Sequence, residues 1–234
     1  VGLGREIGKL HRSLDRVVRS RGAIELEREL GRSLFVDYAA APVAILSSVE
    51  AREIRVGGKV LLEDVALDVR RESRVRVTGP NGIGKTTLLR HLIAGARVAP
   101  DRLLHLPQEL GAEEEVELLN SLRSLGPAER GRVLGVTAAL GVDPDRLLAS
   151  RRPSPGEARK LKLAFGLGRQ VWGLVLDEPT NHLDLPSIER LEAALVAYPG
   201  ALVMVSHDEA FARRCTERVW ALADRRVEVG ASAV

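Results

Sequence analysis

A glycine-rich loop between a predicted strand and a predicted helix constrains this chain more than any other feature. Residues 79–86 read Gly-Pro-Asn-Gly-Ile-Gly-Lys-Thr, which fits the phosphate-binding pattern G-x-x-x-x-G-K-[ST]. Because Gly79, Gly82 and Gly84 lack Cβ atoms, the backbone N–H groups can turn towards phosphate oxygens at the start of the following helix. The sequence therefore predicts an α/β fold that binds nucleotide phosphates at this loop.

Two adjacent carboxylates supply a second element of the same site. Asp177 and Glu178 follow a continuous apolar run, which is typical of a strand buried on both faces of a parallel sheet. Open α/β sheets bind ligands at the carboxyl ends of their strands. We expect Lys85 to contact the β- and γ-phosphates, Thr86 and Asp177 to hold Mg²⁺, and Glu178 to activate the attacking water as general base.

Composition excludes several classes of protein. Of 234 residues, 45% are hydrophobic and 29% are charged, as in ordinary globular chains. The single cysteine, Cys215, cannot form an internal disulfide, which excludes a small secreted framework and favours a reducing compartment. No apolar run approaches the roughly 20 residues of a membrane span, and no signal peptide is recognisable. We therefore expect a cytoplasmic protein.

The N-terminal residues 3–19 predict an amphipathic helix with one basic face. Apolar and basic residues each recur at steps of three and four, and the two series lie on opposite faces. The basic series is Arg5, Lys9, Arg12, Arg16 and Arg19. Arginine suits bidentate phosphate contacts, so RNA is one candidate partner, but the pattern fits a solvated face of an ordinary packed helix equally well.

The rest of the chain predicts a mixture of strands and helices. Short β-type runs at 45–49, 54–56 and 60–69, with Gly57-Gly58 as a turn, indicate an antiparallel subsheet. The pattern is helical from 113 to about 148, with breaks at Gly126-Pro127 and Asp143-Pro144. Further strands are predicted at 74–78, 171–176 and 201–205, and a helix at 186–197.

Three more segments resemble motifs of the ATP-binding cassette (ABC) family. Gln108 resembles the Q-loop, Ser154-Pro155-Gly156-Glu157 the signature segment, and Ser206-His207-Asp208 the switch histidine motif. Each segment is weak in isolation, but their order along residues 45–229 matches the family. The resemblance implies a P-loop core with a mostly parallel sheet, an antiparallel β subdomain and a helical subdomain at about 110–168.

The resemblance also implies a role for each matched residue. In this family two cassettes close head to tail, with ATP between the phosphate loop of one and the signature helix of the other. His207 and Gln108 would join Glu178 as catalytic residues, and Gln108 would join Thr86 and Asp177 at the metal. The implied ATP-binding residues in cis are Gly79, Pro80, Asn81, Gly82, Ile83, Gly84, Lys85, Thr86 and Thr87. Those implied in trans are Ser154, Gly156, Glu157 and Asp184.

The segment Asn181-His182-Leu183-Asp184 resembles the ABC-F group of this family. These are soluble ATPases with two cassettes on one chain, joined by a helical arm, and they act on ribosomes. The resemblance implies an arm remnant at residues 1–42 and a cassette at 43–234. It also implies ATP and Mg²⁺ as cofactors, a second cassette in trans, and ribosomal RNA or tRNA as partner, with a translation or antibiotic-resistance role.

Two other functions remain open at this point. An ATPase subunit of a membrane transporter would need a separate membrane chain, and a nucleotide-regulated module without turnover is disfavoured because Glu178 and His207 are both present. Three positions depart from the family pattern: Val56, and Pro153 and Pro155, which flank Ser154 where the family has Leu and Gly. Val56 replaces an aromatic residue that stacks on adenine, which predicts weak ATP/GTP discrimination. Pro155 removes one N–H donor from the signature segment.

Overall fold

The computed structural model describes residue 35 and residues 37–231. The predicted helix at 3–19 lies outside these residues. The described chain begins with two antiparallel strands, β1 (Ile45–Val56) and β2 (Lys59–Arg70), joined at Gly57-Gly58. This confirms the antiparallel subsheet. The predicted break in the first strand is wrong, because the charged side chains between the two apolar runs are partly or fully exposed while their backbone still pairs with β2.

A six-stranded sheet forms the centre of the molecule. Its spatial order is β4-β5-β6-β3-β7-β8, and every neighbouring pair is parallel except β7 and β8. This arrangement confirms the expected α/β class. The strands are β3 (Arg74–Thr78), β4 (Leu103–Leu106), β5 (Gly173–Asp177), β6 (Ala201–Val205), β7 (Arg218–Ala223) and β8 (Arg226–Ala231).

Helices cover both faces of this sheet, and four of them follow one another between β4 and β5. Proline in the first turn of three of these four helices fits positions whose N–H groups have no partner within the helix. The helices are α1 (Lys85–Ala94), α2 (Ala112–Ser124), α3 (Pro127–Ala139), α4 (Pro144–Ala149), α5 (Pro155–Gly168), α6 (Leu185–Ala197) and α7 (Glu209–Cys215), with a 3₁₀ turn at Pro100–Arg102.

Helix α1 is fixed against the sheet by its apolar side. Leu88, Leu89 and Leu92 are fully buried, and they pack in one cluster with residues of β1, β2 and β3. A second cluster lies among the other helices on the opposite face. Because α1 and β3 are both anchored, the loop that joins them is held at the carboxyl edge of the sheet.

The segment before β1 packs at the opposite edge. Phe35 and Tyr38 make edge-to-face contacts with Tyr198, with ring centroids 5.6 and 6.2 Å apart. The indole of Trp172 donates to the carbonyl of Ala39 over 3.0 Å. In the part of the chain that the structure describes, no helix combines the length and apolar character needed to cross a membrane.

Candidate nucleotide-binding site

The loop between β3 and α1 has a backbone that only glycine supports at two positions. Gly79 has a φ of +143°, and a Cβ there would lie 2.7 Å from the carbonyl oxygen of Leu222. Gly84, with a φ of +116°, is the N-cap of α1, and a Cβ there would contact Leu61 at 3.4 Å. Positive φ values of this kind are strained in other residues. The glycine spacing found in the sequence is therefore a requirement of this loop conformation.

Lys85 lies at the mouth of this loop. Its Nζ donates to the carbonyl oxygens of Gly79 at 2.7 Å and Pro80 at 3.2 Å, and both contacts are exposed. The loop borders a cavity of about 540 Å³, and the ammonium group faces it. Other loop residues that line the cavity are Asn81, Gly82, Gly84, Thr86 and Thr87. Pro80 and Ile83 shape the loop without lining the cavity.

The hydroxyl of Thr86 and the carboxylate of Asp177 lie together on the cavity wall. Thr86 Oγ1 donates to Asp177 Oδ2 over 2.7 Å, although the two residues are 91 positions apart in sequence. Asp177 ends β5 and is 1% exposed. Gln108 lines the same cavity. Mg²⁺ is bound by oxygen ligands and uses few protein groups when substrate phosphates supply the others, so this donor set fits it.

Glu178 is buried beside Asp177 and faces His207. Its Oε2 accepts a hydrogen bond from the backbone N–H of His207 at 3.0 Å, and its Oε1 lies 3.3 Å from His207 Nε2. That Oε1 is buried and has no hydrogen-bond partner among the described residues. The φ of Glu178 is +50°, which is uncommon for a residue other than glycine. The catalytic carboxylate expected from the sequence is thus held in a strained backbone at the cavity wall.

The signature segment lies outside this cavity. Ser154 is the N-cap of α5, and both its hydroxyl and its backbone N–H donate to Glu157 Oε2, at 2.7 and 2.8 Å. These hydrogen bonds lower the pKa of Glu157. Asp184 is exposed, with its carboxylate 3.5 Å from Lys160. Ser154, Gly156, Glu157 and Asp184 are absent from the residues that line the cavity at the phosphate loop.

The β1–β2 hairpin also lines the cavity. Val56 is 52% exposed there, next to Lys59 and Leu61. In the nucleotide site that the family resemblance implies, the base lies against this hairpin at Val56. The only side chains that the hairpin offers to that base are two aliphatic groups and one ammonium group.

Sequence reasoning missed one residue of the site, Arg159. It is 2% exposed within α5, and its guanidinium donates to four backbone carbonyl oxygens. Burial lowers its pKa, while the charges of Asp177 and Glu178 raise it. The available signal was helical spacing, because Arg159 lies four residues before the buried Leu163 and thus on the same face.

Comparisons with known proteins agree with this geometry. The family described as "ABC transporter" matches residues 62–181. "ATP-binding protein Uup" of Caulobacter vibrioides is 36% identical over 81% of this chain and 31% of its own length. "Ribosome protection protein VmlR" of Bacillus subtilis is 34% identical over 74% of this chain and 33% of its own length. "Tylosin resistance ATP-binding protein TlrC" of Streptomyces fradiae is 36% identical over 75% of this chain and 32% of its own length. The chain thus spans about a third of these relatives.

Solved structures show the same fold. "Structure of ATP binding subunit of ABC transporter" superposes with a TM-score of 0.64 at 23% identity, covering 80% of this chain and 90% of that one. A bacterial Atm1-family ABC exporter with ATP bound superposes with a TM-score of 0.62 at 19% identity, over 83% of this chain and 40% of that one. From the family match, the ordered motifs and these relatives, the chain belongs to the ATP-binding cassette family, in its ABC-F group.

Proposed function

We propose that this cassette binds ATP with Mg²⁺ in the cavity at the phosphate loop and hydrolyses it to ADP and phosphate. The observation that carries the proposal is the contact of Thr86 with Asp177 beside the buried carboxylate of Glu178. Oxygen atoms that can bind a metal and a carboxylate that can act as a base therefore lie side by side at one wall of the cavity. Bound to Thr86, Asp177 and the ATP, with Gln108 nearby, Mg²⁺ would neutralise charge on the β- and γ-phosphates.

Each side chain at the site has a different role in the proposed hydrolysis. Lys85 leaves its loop carbonyls and contacts the phosphates. Glu178 accepts a proton from the water whose oxygen attacks the γ-phosphorus, and the bond from that phosphorus to the bridging oxygen of ADP breaks. His207 holds the carboxylate of Glu178 through its backbone N–H. Its imidazole, which lies 3.3 Å from that carboxylate, would contact the γ-phosphate. Gln108 lies at the same cavity wall to orient the water and the metal.

The cassette is proposed to complete its site only with a second cassette. Ser154, Gly156, Glu157 and Asp184 are the in-trans residues in this proposal, and they lie away from the cavity of their own chain. Ser154 stands at the N-terminus of the 14-residue helix α5, where backbone N–H groups and the helix dipole favour an anion. A γ-phosphate held on the partner cassette is the anion that this helix would meet.

We further propose that the protein containing this cassette acts on ribosomes, as a translation factor or an antibiotic-resistance factor. Support comes from relatives named as a ribosome protection protein and a tylosin resistance protein. In this proposal residues 1–42 end the interdomain arm, residues 43–234 form the cassette, and residues 110–168 form its helical subdomain. The five basic residues of the helix predicted at 3–19 would contact RNA phosphates.

The test is ribosome association of the complete protein carrying Glu178→Gln. Blocking turnover while retaining ATP should keep the cassettes closed, so the variant should sediment with ribosomes only when ATP is present. Adding Lys85→Ala to the same chain is the control, because it should abolish that dependence on ATP. Salt and charge reversal at the five basic residues should weaken the association. Purification with a membrane protein, without ribosome binding, would contradict this function.

A further inference from the structure

Arg159 joins two separate segments of the site through a single guanidinium group. Its Nη1 donates to the carbonyl oxygens of Pro107 and Gln108 at 3.0 and 2.6 Å. Its Nη2 donates to those of Asp177 and Glu178 at 3.2 and 2.6 Å. One terminal nitrogen therefore serves each segment. The planar fork of arginine has the shape for this, whereas the single nitrogen of lysine cannot reach both pairs.

Both segments carry residues that the proposed hydrolysis uses, Gln108 in one and Glu178 in the other. Glu178 adopts a left-handed backbone with a φ of +50°, a conformation that persists only where the surroundings hold it. Its N–H is held by the carbonyl of Val205 at 2.9 Å. Its own carbonyl is held by Arg159 and, at 3.2 Å, by the N–H of Asn181. Arg159 thus restrains the backbone from which the proposed base projects.

The position of Arg159 in α5 also connects the signature segment to the site. Arg159 belongs to α5, five residues after Ser154 at its N-cap. A buried charge is expensive unless it is paired and hydrogen-bonded. The Nη1 and Nη2 atoms of Arg159 make these four bonds, while its buried Nε has no hydrogen-bond partner among the described residues. An apolar residue at this place would leave the four carbonyl oxygens without these bonds. The helix that begins with the signature segment is consequently tied to Gln108 and Glu178 of its own chain.

We propose that Arg159 is a positioning residue, which holds the backbone at Gln108 and Glu178 together and links both to the signature helix. This inference rests on the proposed hydrolysis, in which Gln108 and Glu178 act on one ATP. A displacement of the start of α5 by a nucleotide would then move the base and Gln108 as a unit.

The test compares Arg159→Lys with Arg74→Lys. Arg74 is a matched control, because its guanidinium also donates to backbone carbonyls, those of Cys215, Tyr198 and Leu195, at the opposite edge of the sheet. The probe is the backbone amide resonance of His207, whose N–H donates to Glu178 Oε2. Two further measurements are made on each variant. One is backbone hydrogen exchange in residues 104–110 and 174–182, and the other is the affinity for Mg-ATP by calorimetry.

In Arg159→Lys the His207 amide resonance should shift towards its position in Glu178→Gln, and exchange in both segments should rise at least tenfold. Mg-ATP affinity should change less than about threefold, because Arg159 does not contact the phosphate loop. In Arg74→Lys the resonance and these exchange rates should stay at their wild-type values. Arg159→Gln, which removes the buried charge but keeps an N–H₂ donor, should shift the resonance in the same direction.

Two results would overturn the inference: an unchanged His207 resonance with unchanged exchange in the Arg159 variants, or the same changes in Arg74→Lys. The second result would mean that any loss of a buried arginine loosens the site. If the wild-type chain failed to bind Mg-ATP, the proposed function would be refuted instead. The His207 resonance would then still decide whether Arg159 holds Glu178.

Discussion

Replacement of Lys85 by alanine should abolish tight binding of Mg-ATP without unfolding the chain. Lys85 is half-buried, and its Nζ is held at the cavity by two exposed hydrogen bonds to loop carbonyls, at 2.7 and 3.2 Å. Those carbonyl oxygens can bond to water in the variant. Removing a cation from the first turn of a helix also removes an unfavourable interaction with the helix dipole. We therefore expect a free energy of unfolding within about 0.5 kcal/mol of the wild-type value.

The loss of affinity follows from the contacts that the ammonium would make. A hydrogen bond to a charged group contributes about 1.5–3 kcal/mol, and contacts to two phosphates would contribute about 3–6 kcal/mol. At about 1.4 kcal/mol per tenfold, the dissociation constant should rise by roughly 100-fold to 10⁴-fold. The backbone N–H groups of the loop remain, which is why some weak binding should persist.

Calorimetry with Mg-ATP measures this loss, and Lys59→Ala is the matched control. Lys59 lines the same cavity, and within residues 37–231 no hydrogen bond or ion pair fixes its ammonium group. If total positive charge attracted the nucleotide, both variants would lose similar affinity. If the loop geometry matters, Lys59→Ala should stay within about tenfold of wild type. An affinity of Lys85→Ala within threefold of wild type would refute the assignment of the phosphate site.

Two further predictions concern the base and the buried thiol. In competition binding, ATP should be preferred over GTP by less than about 100-fold, or about 2.8 kcal/mol. Val56→Tyr should raise the affinity for both nucleotides, because the added ring can stack on the base. A larger ATP preference in the wild-type chain would show that another group recognises the base. Burial raises the pKa of Cys215 from 9.0 to about 12, so iodoacetamide at pH 8 should modify the native chain far more slowly than the urea-unfolded chain. Because the folded state keeps this proton longer, its contribution to stability is present below pH 9 and is lost as the pH rises from 9 towards 12; equal labelling rates would contradict the burial.

The sequence predicted those parts of the fold in which side-chain pattern and backbone geometry are linked. The phosphate loop was predictable because its glycines are required by positive φ values, and β5 and β6 because buried parallel strands need continuous apolar runs. The continuity of β1 was not predictable in this way. Residues 50–53 include three charged side chains, but the pairing with β2 depends on backbone groups, which carry no such pattern.

In the candidate site, too, the sequence predicted the residues whose side chains carry the chemistry and missed the one whose partners are backbone groups. Lys85, Thr86, Asp177 and Glu178 have motifs because their side chains are the chemical groups that the site requires. Arg159 has no comparable motif, since its partners are backbone carbonyls of segments 51–52 and 18–19 residues away. A charged residue in a helix is usually exposed, and only the neighbouring segments reveal that this one is not.

The hydrogen bonds of helix α5 suggest how a phosphate bound at Ser154 in trans would affect Glu178. In the single chain, the carboxylate of Glu157 accepts hydrogen bonds from both the hydroxyl and the N–H of Ser154, so the Ser154 hydroxyl that is proposed to bind phosphate in trans already has a partner. In the proposed binding in trans, a phosphate on the partner cassette would have to compete with that carboxylate. At about 1.5 Å of rise per residue, Arg159 lies only about 7.5 Å along the helix from this exchange. Because its guanidinium donates to the carbonyl of Glu178, a rearrangement that tilted the start of α5 would act on the backbone of Glu178 through this hydrogen bond.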